Sequence, residues 1–174
     1  MLRTIARIGA VQLAWLACAY GAAAAMPLAA VAACLAALGI NCLLSDHPRA
    51  LLKLALVLGI YGFAAESALT ANGAISYSAG GPTPFLAPLW IVTLWMAFAG
   101  MIRPAFGWLL HRPLTAALIG GGLAPFSYAA AAKLGALQFS DPFYIGWLGL
   151  SLIWTIALPG AIIIQHRLTT SSGP

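Results

Sequence analysis

Apolar runs long enough to cross a membrane occupy nearly the whole of this chain, and that property limits the fold more than any motif does. A crossing needs about twenty apolar residues. Such runs fall at about 8–25, 27–44, 50–71, 85–101, 113–132 and 142–164. The breaks between them carry turn chemistry: "SDHPR" at 45 to 49, "GGPTP" at 80 to 84 and "SDP" at 140 to 142. Composition agrees, with 63% hydrophobic residues, 6% charged residues and a mean hydropathy of +0.97. A soluble domain carries about 25% charged residues, so this chain lacks the polar surface to coat a water-exposed globule. The expected fold is all-α, a polytopic six-helix transmembrane bundle forming a single integral membrane domain over residues 1–174.

Charge placement gives an orientation. Arg3 and Arg7 precede the first run, and Arg49 and Lys53 lie between the second and third. Arg103 and Arg112 lie between the fourth and fifth, and Arg167 follows the sixth. Those seven fall on one side of a six-span arrangement and only Lys133 on the other, which places both termini in the cytoplasm of a bacterial inner membrane. The net charge of +5 is thus a topology signal and points to no nucleic acid. The first 25 residues also resemble a signal peptide, with a basic start, an apolar centre and small residues. Removing them would leave five spans in the same remaining orientation; Gln12 and Trp15 are unusual in a signal core, so the segment is read as a span. The stretch between Arg103 and Arg112, short and aromatic, reads as a helix lying in the cytoplasmic interface, and the final "TTSSGP" as a frayed tail.

The chain holds only three acids, Asp46, Glu66 and Asp141, and one of them sits inside an apolar run. Along the third run Ala55, Gly59, Gly62, Glu66, Thr70 and Gly73 are spaced 4, 3, 4, 4 and 3, which is one stripe of a helix. Small residues on a stripe let helices approach closely, so Glu66 is expected to face the protein interior. Thirteen residues beyond Lys53, at about 1.5 Å each, it lies about 20 Å from the cytoplasmic interface, in the outer third of the bilayer. Two roles follow. Glu66 can pair with Lys133 at the end of the fifth run and merely fix packing, or it can hold or release a proton in an outward-facing polar pocket.

"ESALTANG" (66 to 73), "PLWIVTLWMAFA" (88 to 99) and "APFSYAAAAKLGALQF" (124 to 139) resemble a family of small bacterial inner-membrane proteins, domain-of-unknown-function family 2878. The shared pattern is an acid followed by S-x-L-T-x-x-G, then PLW and LW, then G-P-x-S-Y and a basic residue before LGA. The chain departs from it at Ala124, where glycine is expected. The resemblance implies a fold and a set of marked positions, and no activity.

Other features carry two readings each. Pro125, beside three glycines, either breaks the fifth helix near a binding site or marks close helix packing. Trp90 and Trp147 suit interfacial anchors; Trp95 and Trp154 lie deeper and either fill the core or line a cavity. Cys18, Cys34 and Cys42 read as packing residues, and Asp141 as the N-cap of the sixth helix. His47, His111 and His166 sit at cytoplasmic span ends without metal-site spacing. No metal or other cofactor is implied, and nucleotide-binding and nucleophile motifs are absent. The candidate ligand-binding set is Glu66, Thr70, Asn72, Tyr77, Trp95, Phe126, Tyr128 and Lys133. It is expected around a pocket of a few hundred cubic ångströms between the third, fourth and fifth spans, with Glu66 as floor and Trp95 and Phe126 as wall. Two function classes remain: a protein of membrane-lipid metabolism, accessory or enzyme, binding a lipid or isoprenoid-like chain, and a small proton-coupled transporter using Glu66. The partners implied are membrane lipids and, at most, another membrane protein; the oligomeric state stays open.

Overall fold

The computed structural model describes residues 1–170. Its six α-helices are α1 (Leu2–Ala23), α2 (Pro27–Leu43), α3 (Pro48–Ala71), α4 (Leu89–Met101), α5 (Pro113–Lys133) and α6 (Tyr144–Thr170). Three of them open on a proline, at Pro27, Pro48 and Pro113, where the missing N–H is no loss and the fixed φ suits the first turn. Five segments are long and apolar enough to cross a membrane; α2, at 17 residues, is shorter. The chain is a helical membrane protein. Consecutive helices pack as hairpins, α1 on α2, α3 on α4 and α5 on α6, and α4 also packs against α1 and α2.

Several boundaries differ from the sequence reading, each for a local reason. The first helix starts at Leu2, taking Arg3 and Arg7 into the helix. The fourth starts at Leu89 because Pro84 and Pro88 hold the preceding chain open, Pro88 itself being extended. The interfacial helix expected after Arg103 is instead a π-helical turn, Ile102–Phe106, followed by a 3-10 turn, Gly107–Leu109. Pro104 has no N–H to offer there, and the ladder widens around it. Asp141 is no N-cap, since α6 begins at Tyr144. Thr169 and Thr170 belong to α6; the rest of the expected tail lies outside the described residues.

A two-stranded ribbon was not anticipated. β1 (Ile75–Tyr77) pairs antiparallel with β2 (Leu137–Phe139), with Ser76 opposite Gln138. Both strands leave their helices through the same device. At the end of α3, Gly73 adopts φ +68°, Gly73 N–H donates to Thr70 and Ala74 N–H to Leu69. At the end of α5, Gly135 adopts φ +87°, Gly135 N–H donates to Ala132 and Ala136 N–H to Ala131. These are Schellman ends, in which only glycine takes the left-handed position without strain. The ribbon turns both chains back over the bundle, burying Ile75 and Leu137.

α5 runs unbroken through Pro125, so the close-packing reading of its glycines holds. A Cβ on Gly121 would meet the Ser151 carbonyl at 2.9 Å, and one on Gly120 would meet the Leu158 Cβ at 3.0 Å. Gly122 faces open space. The cysteines are free thiols; Cys18 and Cys34 meet across α1 and α2 with sulfurs 3.1 Å apart.

Candidate functional site

Glu66 is completely buried, as its place on the small-residue stripe requires. Ala55, Gly59 and Gly62 of that stripe are buried with it. Gly62 lies one turn before Glu66, and its missing side chain leaves room for the Trp95 ring, into which any Cβ would project. The ring therefore slides against α3, and its Nε1 donates to Glu66 Oε1 at 3.0 Å.

Two tyrosines complete the ring of donors. Tyr128 Oη, from α5, also donates to Oε1. Tyr77 Oη, returned to the helix end by the Gly73 turn and β1, donates to Oε2 at 2.5 Å. A carboxylate offers about four acceptor positions, and three are filled here by neutral donors from α4, α5 and β1. Among the described residues Glu66 makes no ion pair. A buried charge is tolerable only when its oxygens are bonded, and this site meets that need without a cation. Such a cluster can also hold one proton shared between the carboxyl group and either phenol.

Four of the eight candidate residues meet in this cluster: Glu66, Tyr77, Trp95 and Tyr128. The others stand apart. Thr70 bonds the backbone carbonyl of Glu66 at 2.8 Å, a local helix contact. Asn72 is exposed at the end of α3. Phe126 is 62% exposed and packs edge-on against Trp147. Lys133 is exposed at the end of α5, so the Glu66–Lys133 pair does not form.

Beside the cluster is a cleft of about 300 Å³, walled almost wholly by apolar side chains. It lies among α1, α4, α5 and α6, where α5 leans on α6 and stands away from α1 and α4. Trp15 and Cys18 come from α1, Trp90, Trp95 and Phe98 from α4, Leu123 and Tyr128 from α5, and Trp154 from α6. The place differs from the expected one: α3 contributes no lining and neither does Phe126. Glu66 is behind the wall, bonded to two side chains that face the cleft. Trp95 and Trp154 stack at 4.4 Å with an interplanar angle of 19°, so the two readings of these deep tryptophans merge: they fill the core and line the cleft. Trp90 is 2% exposed and bonds the Ala79 carbonyl, so it is a cleft residue rather than a surface anchor.

A second buried polar group lies at the other end of the bundle. Arg7 Nε donates to Asn41 Oδ1 at 3.1 Å, and Arg7 Nη2 to the Gly100 carbonyl at 3.0 Å. Asn41 Nδ2 donates to the carbonyls of Arg7 and Ala37. Gly100 is required because a side chain there would collide with Asn41. Sequence reasoning counted Arg7 only as a topology charge preceding the first run; the start of α1 at Leu2 takes it into the helix and among its neighbours. Among the described residues no group of three His, Cys, Asp or Glu side chains could hold a metal ion.

The family model described as "Protein of unknown function (DUF2878)" matches residues 4–160. The chain belongs to the DUF2878 family. The match spans α1 through most of α6, so both the Glu66 cluster and the Arg7 clasp of this DUF2878 chain lie within it. No curated protein and no solved structure matches this DUF2878 chain.

Proposed function

We propose that this DUF2878 chain binds a lipid or isoprenoid-like chain in the cleft, as an accessory protein or enzyme of membrane-lipid metabolism in the bacterial inner membrane, with both termini cytoplasmic. The observation that carries the reading is that Trp95 and Tyr128 face the cleft while both bond Glu66 behind it. A bound chain would therefore lie one side chain away from a buried carboxyl group.

Hydrophobicity alone would not select a ligand here, because lipid tails are as apolar as the wall. Selection must come from shape and from aromatic faces, of which the cleft has many. That favours a planar or unsaturated chain over a saturated one. The alternative, a small proton-coupled transporter using Glu66, needs a polar route to the far end. Of the two polar side chains toward that end, Asn41 is fully engaged by Arg7 and Ala37, and Gln12 lies on the almost wholly apolar wall of the cleft.

Mass spectrometry of lipid extracted from the purified protein tests the reading. Wild type should retain an apolar lipid enriched over the bulk membrane. Ser127→Trp fills the cleft from an exposed position outside the cluster, and retention should drop about tenfold, the loss of roughly 1.4 kcal/mol of binding. Equal lipid content in both proteins, matching the bulk membrane, would refute it.

A further inference from the structure

Two polar side chains interrupt the apolar and aromatic wall of the cleft, and they stand on opposite sides of it. Gln12 comes from α1 and Ser127 from α5. Both are exposed, and neither makes a hydrogen bond or ion pair among the described residues. Trp15, one turn beyond Gln12 on the same face of α1, is half-buried in the wall with its indole N–H likewise unbonded. That N–H is open to the cleft, unlike Nε1 of Trp154, which is sealed out of a ligand's reach.

Depth makes these groups unusual. Gln12 lies ten residues beyond Leu2 and Ser127 fourteen beyond Pro113. At a rise of about 1.5 Å per residue, those are about 15 Å and about 21 Å along their helices. Both points fall inside a hydrocarbon core about 30 Å thick, where no water bonds an amide or a hydroxyl. Leaving them without a partner there is unfavourable.

The wall also excludes one class of partner. Among the described residues no Lys, Arg, His, Asp or Glu side chain lines the cleft, and the nearby Glu66 is an acid. A phosphate or carboxylate head would lose its water there with no cation to meet it. The partner is therefore uncharged. An amide and a hydroxyl both donate and accept, so they suit a carbonyl oxygen or a hydroxyl equally. The stacked rings of Trp95 and Trp154 offer flat faces to a planar head.

We propose that the cleft takes the ring of a prenylated quinone or quinol, a neutral isoprenoid whose planar head carries oxygens on two sides. Gln12 and Trp15 bond one ring oxygen, and Ser127 bonds the other from the opposite wall. This rests on the lipid-binding reading above and deepens it by naming the head that the chain carries.

The test is competition. The full-length protein in detergent is photolabelled with a diazirine-bearing polyprenyl hydrocarbon, against three unlabelled lipids of equal chain length. These are a prenylated naphthoquinone, the polyprenyl phosphate and the plain polyprenyl hydrocarbon. The naphthoquinone should displace the probe about twentyfold more strongly than the hydrocarbon, at about fivefold for each of two hydrogen bonds. The phosphate should do no better than the hydrocarbon. Gln12→Leu and Ser127→Ala should each cut the naphthoquinone's advantage about fivefold and leave the hydrocarbon unaffected. Neither change should lower the thermal midpoint of the ligand-free protein, whereas a merely structural role would lower it. Equal competition by naphthoquinone and hydrocarbon would overturn the proposed head and leave chain binding intact. Competition by the phosphate as strong as by the naphthoquinone would overturn it as well. No competition by any of the three would sink the lipid-binding reading and this proposal with it.

Discussion

The two ends of the bundle each bury one ionisable side chain, and they solve the problem differently. At one end Arg7 is held by a side-chain oxygen and a backbone carbonyl, joining α1, α2 and α4 into a closed clasp. At the other, Glu66 is held by three side-chain donors, two of which also wall an open cleft. Among the described residues neither uses a counter-ion. The clasp is bonded to groups that cannot move without unpacking helices, so its work ends at packing. The Glu66 cluster is bonded to groups a ligand would touch, so a change in the cleft reaches the carboxyl group directly.

The largest expected effect is at the clasp. Arg7→Met leaves Asn41 Oδ1 and the Gly100 carbonyl without donors, and two buried unpaired acceptors should lower stability by about 2–4 kcal/mol. Thermal unfolding in detergent checks this, and the protein that does fold should keep its lipid content. Glu66→Gln comes next. Its amide can still accept from Trp95 and Tyr128 through one oxygen and donate to Tyr77, so the stability loss should stay near about 1–2 kcal/mol. Lipid retention, by contrast, should change. If Glu66→Gln proved as damaging to folding as Arg7→Met while leaving lipid retention intact, the two ends would be alike and the distinction would fall.

A finer comparison lies within the cluster. Tyr128→Phe and Tyr77→Phe each remove one donor and keep the ring, and each should cost about 1 kcal/mol. Only Tyr128 lines the cleft, so only Tyr128→Phe should alter lipid retention. Either change combined with Glu66→Gln should be milder than the sum, since the groups share one network.

Much of this was readable from spacing, and the rest was not for physical reasons. The 3- and 4-residue spacing around Glu66 placed it inward because one helix face is a local property. Its partners Tyr77, Trp95 and Tyr128 stood in the candidate set, but the path that brings Tyr77 to it did not show. Tyr77 returns to Glu66 only through the Gly73 turn, and three-residue strands are too short for alternation to show. The signal that existed was a repeated pattern, "GAISY" and "GALQF", each starting at a left-handed glycine. The cleft draws Trp15 and Cys18 from α1, and no single helix records which neighbours it will have. The pairing of Glu66 with Lys133 failed because the phenols and the indole of the same candidate set reach the carboxyl group at less desolvation than a cation needs.

The smallest expected effect is at Lys133. The side chain is exposed and remote from Glu66's bonds, so Lys133→Met should stay within about 0.5 kcal/mol of wild type. A chemical or thermal melt checks it, and any coupling to Glu66→Gln beyond that range would restore the ion pair.

Photolabelling tests the central claim most directly, that an apolar ligand sits against the wall formed by Trp95 and Tyr128. The purified protein would be irradiated with a diazirine-bearing polyprenyl probe and its peptides read by mass spectrometry. The account predicts adducts on the cleft-lining parts of α1 and α5, at Trp15, Cys18, Leu123 and Tyr128, reduced in Ser127→Trp. Labelling spread evenly over outward side chains such as Leu118 and Leu152, which are 68% and 65% exposed, and unchanged in Ser127→Trp, would contradict it.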